Sequence, residues 1–386
     1  MIIVIADDLT GATEIGGIGL RYRLKVEIAN QLNSPVAQGT DLFIVNADTR
    51  SMPFEAAMEH LRELLNWVRQ LRYAYIFKKV DSVLRGHVLA EINMQLTATQ
   101  TKRALLLPAN PRLGRTIYDG NYYIHGRLIH ETDFARDPEF PVTNAKVLHM
   151  LHAEGDVSVQ TWKQPFPQEG IVLGEAKTEA DMEAWMRKMP EGTTLAGGSS
   201  SFHAFLQHIL KRKPMFAQDV EQSFAGFKKP FLYVCGSNFE ASVTRIKEWD
   251  AAEKPVFYIP LQQVDDATFE KWINHWIKEV TSAISVHKNA IIAFDNQLPA
   301  TTEVDAAYLR LMMAKIIKIL LKQVTIEELV VEGGATAGAI LEQLQISKLT
   351  PLEELAPGVI RCSIKRDPKI WITLKPGSYN WCIAVA

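Results

Sequence analysis

The sequence predicts an α/β protein of two domains, each a mostly parallel sheet with helices on both faces, with an active-site cleft between them. Three observations carry this expectation. Short β-branched runs alternate with helix-length stretches along the chain, and such a rhythm gives parallel sheets covered on both faces. The pattern resets once, at Phe224-Ala225-Gly226-Phe227-Lys228-Lys229-Pro230, where two lysines and a proline precede a fresh strand. Domain boundaries fall in such segments, so the expected domains are 1–225 and 226–386. The length of 386 residues suits two or three domains.

The first strand is Met1–Ala6. It has no basic lead and meets Asp7-Asp8 after six residues, too short for a signal-peptide core. Further strands are expected at Asp41–Asn46, Tyr73–Phe77, Ala104–Leu107, Gly170–Leu173 and Thr194–Ala196. Between them, Pro53–Arg72 sets Ala56, Ala57, His60, Leu61, Leu64 and Leu65 at helical spacing. The segment Pro108–Pro141 is an irregular excursion, with a hairpin expected around Tyr122–Leu128. After the reset, strands at 231–235, 256–259, 290–294 and 328–331 alternate with helices near 239–249, 266–284, 304–323 and 336–344. Phe269, Trp272, Ile273, Trp276, Ile277 and Val280 are expected to share one face of the second of these helices, as core packing does. Strand candidates at 359–363, 370–374 and 381–385 close the chain.

Composition narrows the classes of function. Apolar residues make up 47% and charged residues 22%, and the formal net charge is −2. That balance argues against a sequence-independent nucleic-acid binder and against a polybasic membrane-surface protein. No apolar run is long enough to span a bilayer. Three separated cysteines, Cys235, Cys362 and Cys382, suggest neither disulfides nor a zinc ribbon, so a reducing, cytoplasmic home is expected. The G-x-x-x-x-G-K-[ST], G-x-G-x-x-G and G-x-S-x-G patterns are missing, and no metal site is expected.

Parallel sheets bind ligands beyond the carboxyl ends of their strands. In the first half those ends carry Asp7, Asp8, Arg50, Lys79, Asp81, Ser82 and Asn110. Any one of the aspartates or serines reads equally well as a helix cap. Charges of both signs after four successive strands favour a site for a small polar ligand. In the second half, three glycine-bearing turns each follow an expected strand: Gly236-Ser237-Asn238, Gly333-Gly334-Ala335-Thr336-Ala337-Gly338 and Lys375-Pro376-Gly377-Ser378. A glycine-rich approach to a helix start lets phosphate oxygens reach unpaired N–H groups, and Lys375 is a candidate to neutralise phosphate charge.

These residues resemble the four-carbon acid sugar kinase family. The opening Ala6-Asp7-Asp8-Leu9-Thr10-Gly11-Ala12 is similar to the family's A-D-D-x-T-G-A. Lys78-Lys79-Val80-Asp81-Ser82-Val83-Leu84-Arg85-Gly86 is similar in full to K-K-x-D-S-x-L-R-G. Pro108-Ala109-Asn110-Pro111, Gly114-Arg115-Thr116 and Gly120 follow its P-A-x-P…G-R-T…G stretch. The Gly236-Ser237 turn, the Gly333–Ala337 loop and the Lys375/Gly377 turn follow in the second half. The resemblance implies an ATP-dependent kinase with an N-terminal acid-sugar domain and a C-terminal ATP domain, and it spans nearly the whole chain. It implies contacts to the sugar acid from Asp8, Arg50, Lys79, Val80, Asp81 and Ser82. It implies contacts to ATP from Ser237, Gly333, Gly334, Ala335, Thr336 and Gly377, with Mg²⁺ carried mainly by nucleotide and water. The chain departs from the family at Ala335, where an acid is frequent, and at Asn380, where a glycine is usual.

On this expectation Arg50 and Lys79 hold the substrate carboxylate, and Asp81, ahead of Asp8, takes the hydroxyl proton. The change at Ala335 keeps open an alternative, a non-catalytic sensor of a sugar acid or nucleotide built on the same fold. Expected partners are the small-molecule acid, with no nucleic acid and no membrane. A homodimer is compatible with the sequence, which does not specify the oligomeric state or the particular acid.

Overall fold

The computed structural model describes residues 1–137, 139–153, 155, 157–211, 214, 224, 226–259, 266–295, 306–364, 370–377 and 379, without the side chains of 266–271. The chain divides into two compact units, Met1–Met215 and Phe216–Ala386. The expected boundary at 225/226 and this division both fall in the stretch where most residues lie outside the description.

The N-terminal unit contains β1 (Ile2–Ala6), β2 (Val26–Ala29), β3 (Leu42–Asn46), β4 (Tyr75–Lys79), β5 (Arg103–Leu107), β6 (Arg115–Tyr118), β7 (Asn121–Ile124), β8 (Arg127–Leu128), β9 (Val157–Gln160), β10 (Gly170–Gly174) and β11 (Thr194–Gly197). Its helices are α1 (Leu9–Arg21), α2 (Phe54–Val68), α3 (Val88–Thr99), the single turn α4 (Val147–Met150), α5 (Glu179–Lys188) and α6 (Ser199–Leu210). Eight strands form one sheet in the order β2-β3-β1-β4-β11-β5-β10-β9, parallel at every pairing.

Side chains alternate across a strand, and the two faces of this sheet are filled by different helices. Ile3, Ile5, Phe43 and Val45 bury against Leu61, Leu64, Leu65 and Val68 of α2. Phe77 turns the other way and packs against the rings of Phe202 and Phe205 in α6. Burying one such side chain contributes roughly 1.5–3 kcal/mol, so the apolar runs that announced the strands also hold the layers together.

Register decides where the loops emerge. Ala6 pairs with Asn46 and with Lys79, and Gly197 pairs with both Lys79 and Leu107. The chain therefore leaves five neighbouring strands at one level, and Asp7, Arg50, Val80, Gly198 and Pro108 begin or occupy loops of one rim.

The excursion after β5 forms a separate antiparallel meander, β6-β7-β8. Its turns, Asp119-Gly120 and His125-Gly126, have positive φ at both residues, as two-residue hairpin loops require. The sequence reading found the second hairpin and missed the first.

The C-terminal unit contains β12 (Phe231–Cys235), β13 (Val256–Ile259), β14 (Asn289–Phe294), β15 (Glu328–Glu332), β16 (Lys348–Ala356), β17 (Val359–Ser363) and β18 (Trp371–Lys375). Its helices are α7 (Glu240–Ala251), α8 (Asp266–His287), α9 (Ala306–Gln323) and α10 (Gly334–Gln343). The order is β13-β14-β12-β15-β18-β17-β16. The first five strands are parallel, and β17 and β16 are added antiparallel.

Phe231, Tyr233 and Cys235 share one face with Ile246 and Trp249 of α7. On β13, Phe257 turns away from that face to meet Trp276 of α8. Cys235, Glu332 and Lys375 are cross-strand neighbours at the ends of β12, β15 and β18, so the three glycine-bearing turns share one rim. The strand candidate at 381–385, Asn380, Ser378, Cys382 and the pair Arg212-Lys213 lie outside the described residues.

Candidate active site

The rim of the N-terminal sheet is a network of charge. Asp8 sits in extended backbone just before α1, and its Oδ1 accepts from the Gly11 N–H at 2.7 Å. Its Oδ2 accepts from Arg50 Nη1 at 2.8 Å. Capping and site membership, alternatives on the sequence, are both true of this one carboxylate. Arg50 also donates from Nε to Asp7 Oδ2 at 2.8 Å, and its Nη2 stands 3.6 Å from Asp81 Oδ1. Arg50, expected to hold the substrate carboxylate, thus hydrogen-bonds two carboxylates of the protein and faces a third.

Asp81 is more heavily engaged. Its Oδ2 accepts from Val83 N at 3.2 Å, Arg85 N at 3.1 Å and Arg85 Nε at 2.9 Å, and its Oδ1 accepts from Arg85 Nη2 at 2.9 Å. Burial pushes its carboxyl up, but the charges of Arg85 and Arg50 and the hydrogen bonds of Arg85 outweigh that and hold it far below the usual carboxylate range. Asp8 goes the other way. Burial raises its pKa, Asp7 adds to the rise, and Arg50, Lys79 and the Gly11 N–H offset it only in part. A general base works best with a pKa drawn toward the operating pH. Asp8 also keeps 18% of its side chain exposed, against 6% for Asp7 and Asp81. Of the two expected bases, Asp81 is the more engaged and Asp8 the more exposed.

Successive residues of β4 part company. Lys78 is fully buried and pairs with Glu91 of α3, which also accepts from Thr49 Oγ1 at 2.6 Å. Lys79 faces α1, with Nζ 3.0 Å from the Val80 carbonyl and 3.8 Å from Glu14 Oε2. Val80 reaches the rim only as backbone. Its side chain is buried, its N–H donates to Gly197 O at 3.1 Å and its carbonyl takes the Lys79 ammonium. It offers a polar ligand no side-chain group, contrary to its place among the expected contacts. Ser82 Oγ accepts from Arg115 Nη1, and the Ser82 carbonyl accepts from Tyr122 OH at 2.5 Å.

Sequence reasoning assigned no role to Arg85, Arg115, Tyr122 or Asp137. Arg85 Nη1 donates to Asp137 Oδ2 at 2.7 Å, which ties the meander segment to the Asp81 loop. Asn110 is buried and paired on both sides, donating to Ser199 Oγ at 3.0 Å and accepting from Ser200 Oγ at 2.8 Å. The motifs contained Arg85 and Arg115, but the partners Asp137 of Arg85 and Ser82 of Arg115, 52 and 33 residues away, carry no local signal.

The rim of the C-terminal sheet is organised around backbone. Gly333 has φ +112°, where an added Cβ is strained, and lies against the backbone of Gly236 and Ser237. A Cβ on Gly377 would stand 2.5 Å from Ser237 Oγ. Ser237, Gly333 and Gly377 are therefore brought together. Gly334, exposed Ala335 and buried Thr336 form the first turn of α10, which has no side-chain cap and no acidic residue there. Its first N–H groups have no partner inside the helix, and the helix end favours negative charge. That donor set fits a phosphate chain.

Lys375, the expected neutraliser of phosphate charge, is engaged within the protein. Its Nζ is buried, donating to Glu332 Oε1 at 2.6 Å and to Pro376 O at 3.1 Å. Glu332 accepts in addition from Tyr233 OH and, at 2.6 Å, from Ser242 Oγ, which lies 3.0 Å from Ser237 Oγ. Burial pulls the Lys375 pKa down, Glu332 opposes that, and the charge of Arg245 on α7 adds to the fall. Lys375 thus supports the loops from beneath. Beside Ser237 opens a cavity of about 560 Å³ whose walls include Val243, Ile246, Tyr258, Phe294 and Asp295, within the range of small-molecule sites.

Comparison with known proteins decides the family. Residues 2–206 match the model of a sugar-binding N-terminal domain, and residues 232–379 match that of a nucleotide-binding C-terminal domain. The chain belongs to the four-carbon acid sugar kinase family. Relatives in this family include a D-threonate kinase of Salmonella typhimurium, 23% identical over 324 residues, covering 79% of this chain and 74% of the relative. A 3-oxo-tetronate kinase of Pseudomonas fluorescens is 23% identical over 407 residues, covering 97% and 93%. A D-erythronate kinase of Heliobacterium modesticaldum is 30% identical over 162 residues, covering 41% and 37%. Solved structures from Salmonella typhimurium and Haemophilus influenzae share the fold, with TM-scores of 0.77 and 0.72 at 19% and 18% identity. They cover 98% of this chain in each case and 96% and 97% of their own. Among the described residues no helix is long and apolar enough to cross a membrane.

Proposed function

We propose that this member of the four-carbon acid sugar kinase family is an ATP-dependent kinase that phosphorylates a hydroxyl of a four-carbon sugar acid, of the threonate, erythronate or 3-oxo-tetronate class. Residues 1–225 bind the acid and residues 226–386 the nucleotide. The observation that carries the reading is Asp8, a part-exposed carboxylate with a raised pKa, held by Arg50 and Gly11 on a rim of fixed charges.

Asp8 accepts the proton of the attacking hydroxyl. Arg50 orients it, and Asp81, locked by Arg85, is a structural anion. Lys79 lies beside Asp8, where an added Cβ on Gly11 would stand 2.9 Å from Asp8 Oδ1 and 3.0 Å from Lys79 Nζ. It therefore supplies positive charge next to the base and the bound acid. ATP supplies the phosphoryl group, and Mg²⁺ travels with its phosphates. Ser237, Gly333 through Thr336 and Gly377 hold those phosphates through backbone N–H groups and small side chains. The cavity beside Ser237 receives the nucleoside. With Lys375 engaged by Glu332, Arg245, whose charge acts on Lys375, and Lys247, which lines the cavity, are cations near these loops. Phosphoryl transfer depends on positioning and charge stabilisation, and both rims provide these.

The test is ADP release from MgATP in the presence of threonate, erythronate and 3-oxo-tetronates in turn. Acid-dependent release is expected with at least one of them. Thermal stabilisation by an acid without ADP release would instead mark a non-catalytic sensor.

A further inference from the structure

The guanidinium groups of Arg50, Arg85 and Arg115 at the N-terminal rim differ in what they hold. Arg50 engages Asp7 and Asp8 and faces Asp81. Arg85 grips Asp81 with two nitrogens and Asp137 with a third. Arg115, at the start of β6, has no carboxylate within ion-pair distance among the described residues. Its Nη1 donates to Ser82 Oγ, and its guanidinium lies over the Phe134 ring, 5.6 Å from the centroid.

The backbone of Arg115 is fixed as well. It exchanges hydrogen bonds with Asn110 in both directions, at 2.8 and 3.0 Å. Asn110 in turn is locked by Ser199 and Ser200. Ser82, the side-chain partner of Arg115, is held through its carbonyl by Tyr122. Arg115 is therefore a preorganised, partly buried cation without a counter-ion among the described residues. Removing such a charge from water is unfavourable unless an anion meets it, and the planar fork matches a carboxylate.

Electrostatics orients the ligand. Asp7, Asp8 and Asp81 cluster around Arg50 and engage its guanidinium, so that side offers carboxylate oxygens to the hydroxyl end of a sugar acid. The contacts run from Asp8 through Arg50 and Asp81 to Ser82 and Arg115. We infer that Arg115 receives the substrate carboxylate and makes the site select an acid over the corresponding neutral polyol. This rests on the sugar-acid reading above, and it replaces Arg50 in the task the sequence suggested for it.

The experiment is calorimetric binding of erythronate and threonate, each against its neutral alcohol, erythritol or threitol. It uses the full chain as wild type, Arg115→Gln and Arg115→Lys, with thermal melts to confirm folding. Wild type is expected to prefer the acid. Arg115→Gln should lose about 10- to 100-fold in acid affinity, the worth of a charge-assisted contact, with alcohol binding unchanged. Arg115→Lys should recover part of the loss. An acid-to-alcohol ratio in Arg115→Gln equal to that of wild type overturns the assignment and leaves the kinase reading standing. A wild type that binds both equally also overturns it, since no cation then selects the carboxylate. A wild type that binds neither overturns the four-carbon reading, and the assignment with it.

Discussion

At the rim of the N-terminal sheet the loops deliver charged side chains, and at the rim of the C-terminal sheet they deliver glycine, serine and threonine. The lysines at the two rims are both buried and differ in their ion pairs: Lys79, ending β4, stands 3.8 Å from Glu14, while Lys375, ending β18, makes a 2.6 Å pair with Glu332. On the proposed reading the difference between the rims has a reason: small organic acids differ from one another in where their hydroxyls point, and directional side chains held by other side chains suit them. A phosphate chain is the same in every nucleotide, and backbone N–H groups at a helix start suffice for it.

The difference can be broken most severely at Asp8. Asp8→Asn keeps a good cap for α1 but removes the base, so kcat should fall about 10²- to 10⁴-fold with little change in melting temperature. The wild-type pH profile carries the same assignment. Because the Asp8 pKa is raised, the rate should fall as pH drops through a value above the ordinary carboxylate range of about 4. A half-point at or below that range would remove Asp8 from the role.

Asp81→Asn should act on stability instead. It leaves Arg85 and Arg50 partly unpaired in a buried setting, at a cost of about 3–5 kcal/mol, measurable by urea unfolding. The sign against pH follows from its lowered pKa. The stability from Asp81 is fully present above the unfolded value near 4 and is lost as pH falls further.

The smallest expected effect is Gly333→Ala. Forcing a Cβ onto φ +112° costs about 1–3 kcal/mol. It should appear as a raised KM for ATP, with KM for the sugar acid unchanged. Equal changes in both would mean that the two rims are not separate recognition devices.

The strands legible in the sequence were the apolar, β-branched ones, such as β1, β12, β13 and β17. Those that escaped notice carry polar residues at alternate or successive positions. β2 reads Val-Glu-Ile-Ala, with Glu27 buried and accepting from Ala37 N at 3.0 Å. β9 reads Val-Ser-Val-Gln, and β16 contains Pro351 and two adjacent glutamates. Their pairing is supplied by neighbours distant in the chain, so local periodicity is faint. The Asp119-Gly120 turn carried a hairpin signal that the flanking Tyr118 and Asn121 obscured.

By itself the sequence determined the alternation of strand and helix, the reset into a second unit, and the residue types at each strand end. These follow from local apolar period and turn chemistry, which act over a few residues. Only the tertiary structure decided which charges are already consumed. Arg50 and Lys375 are satisfied by carboxylates, Asp81 is locked by Arg85, and Asp8 and Arg115 retain capacity for a ligand. The physical reason is that a charged group's availability depends on which opposite charges the fold brings within about 4 Å. Parallel-sheet register sets those distances between segments far apart in the chain.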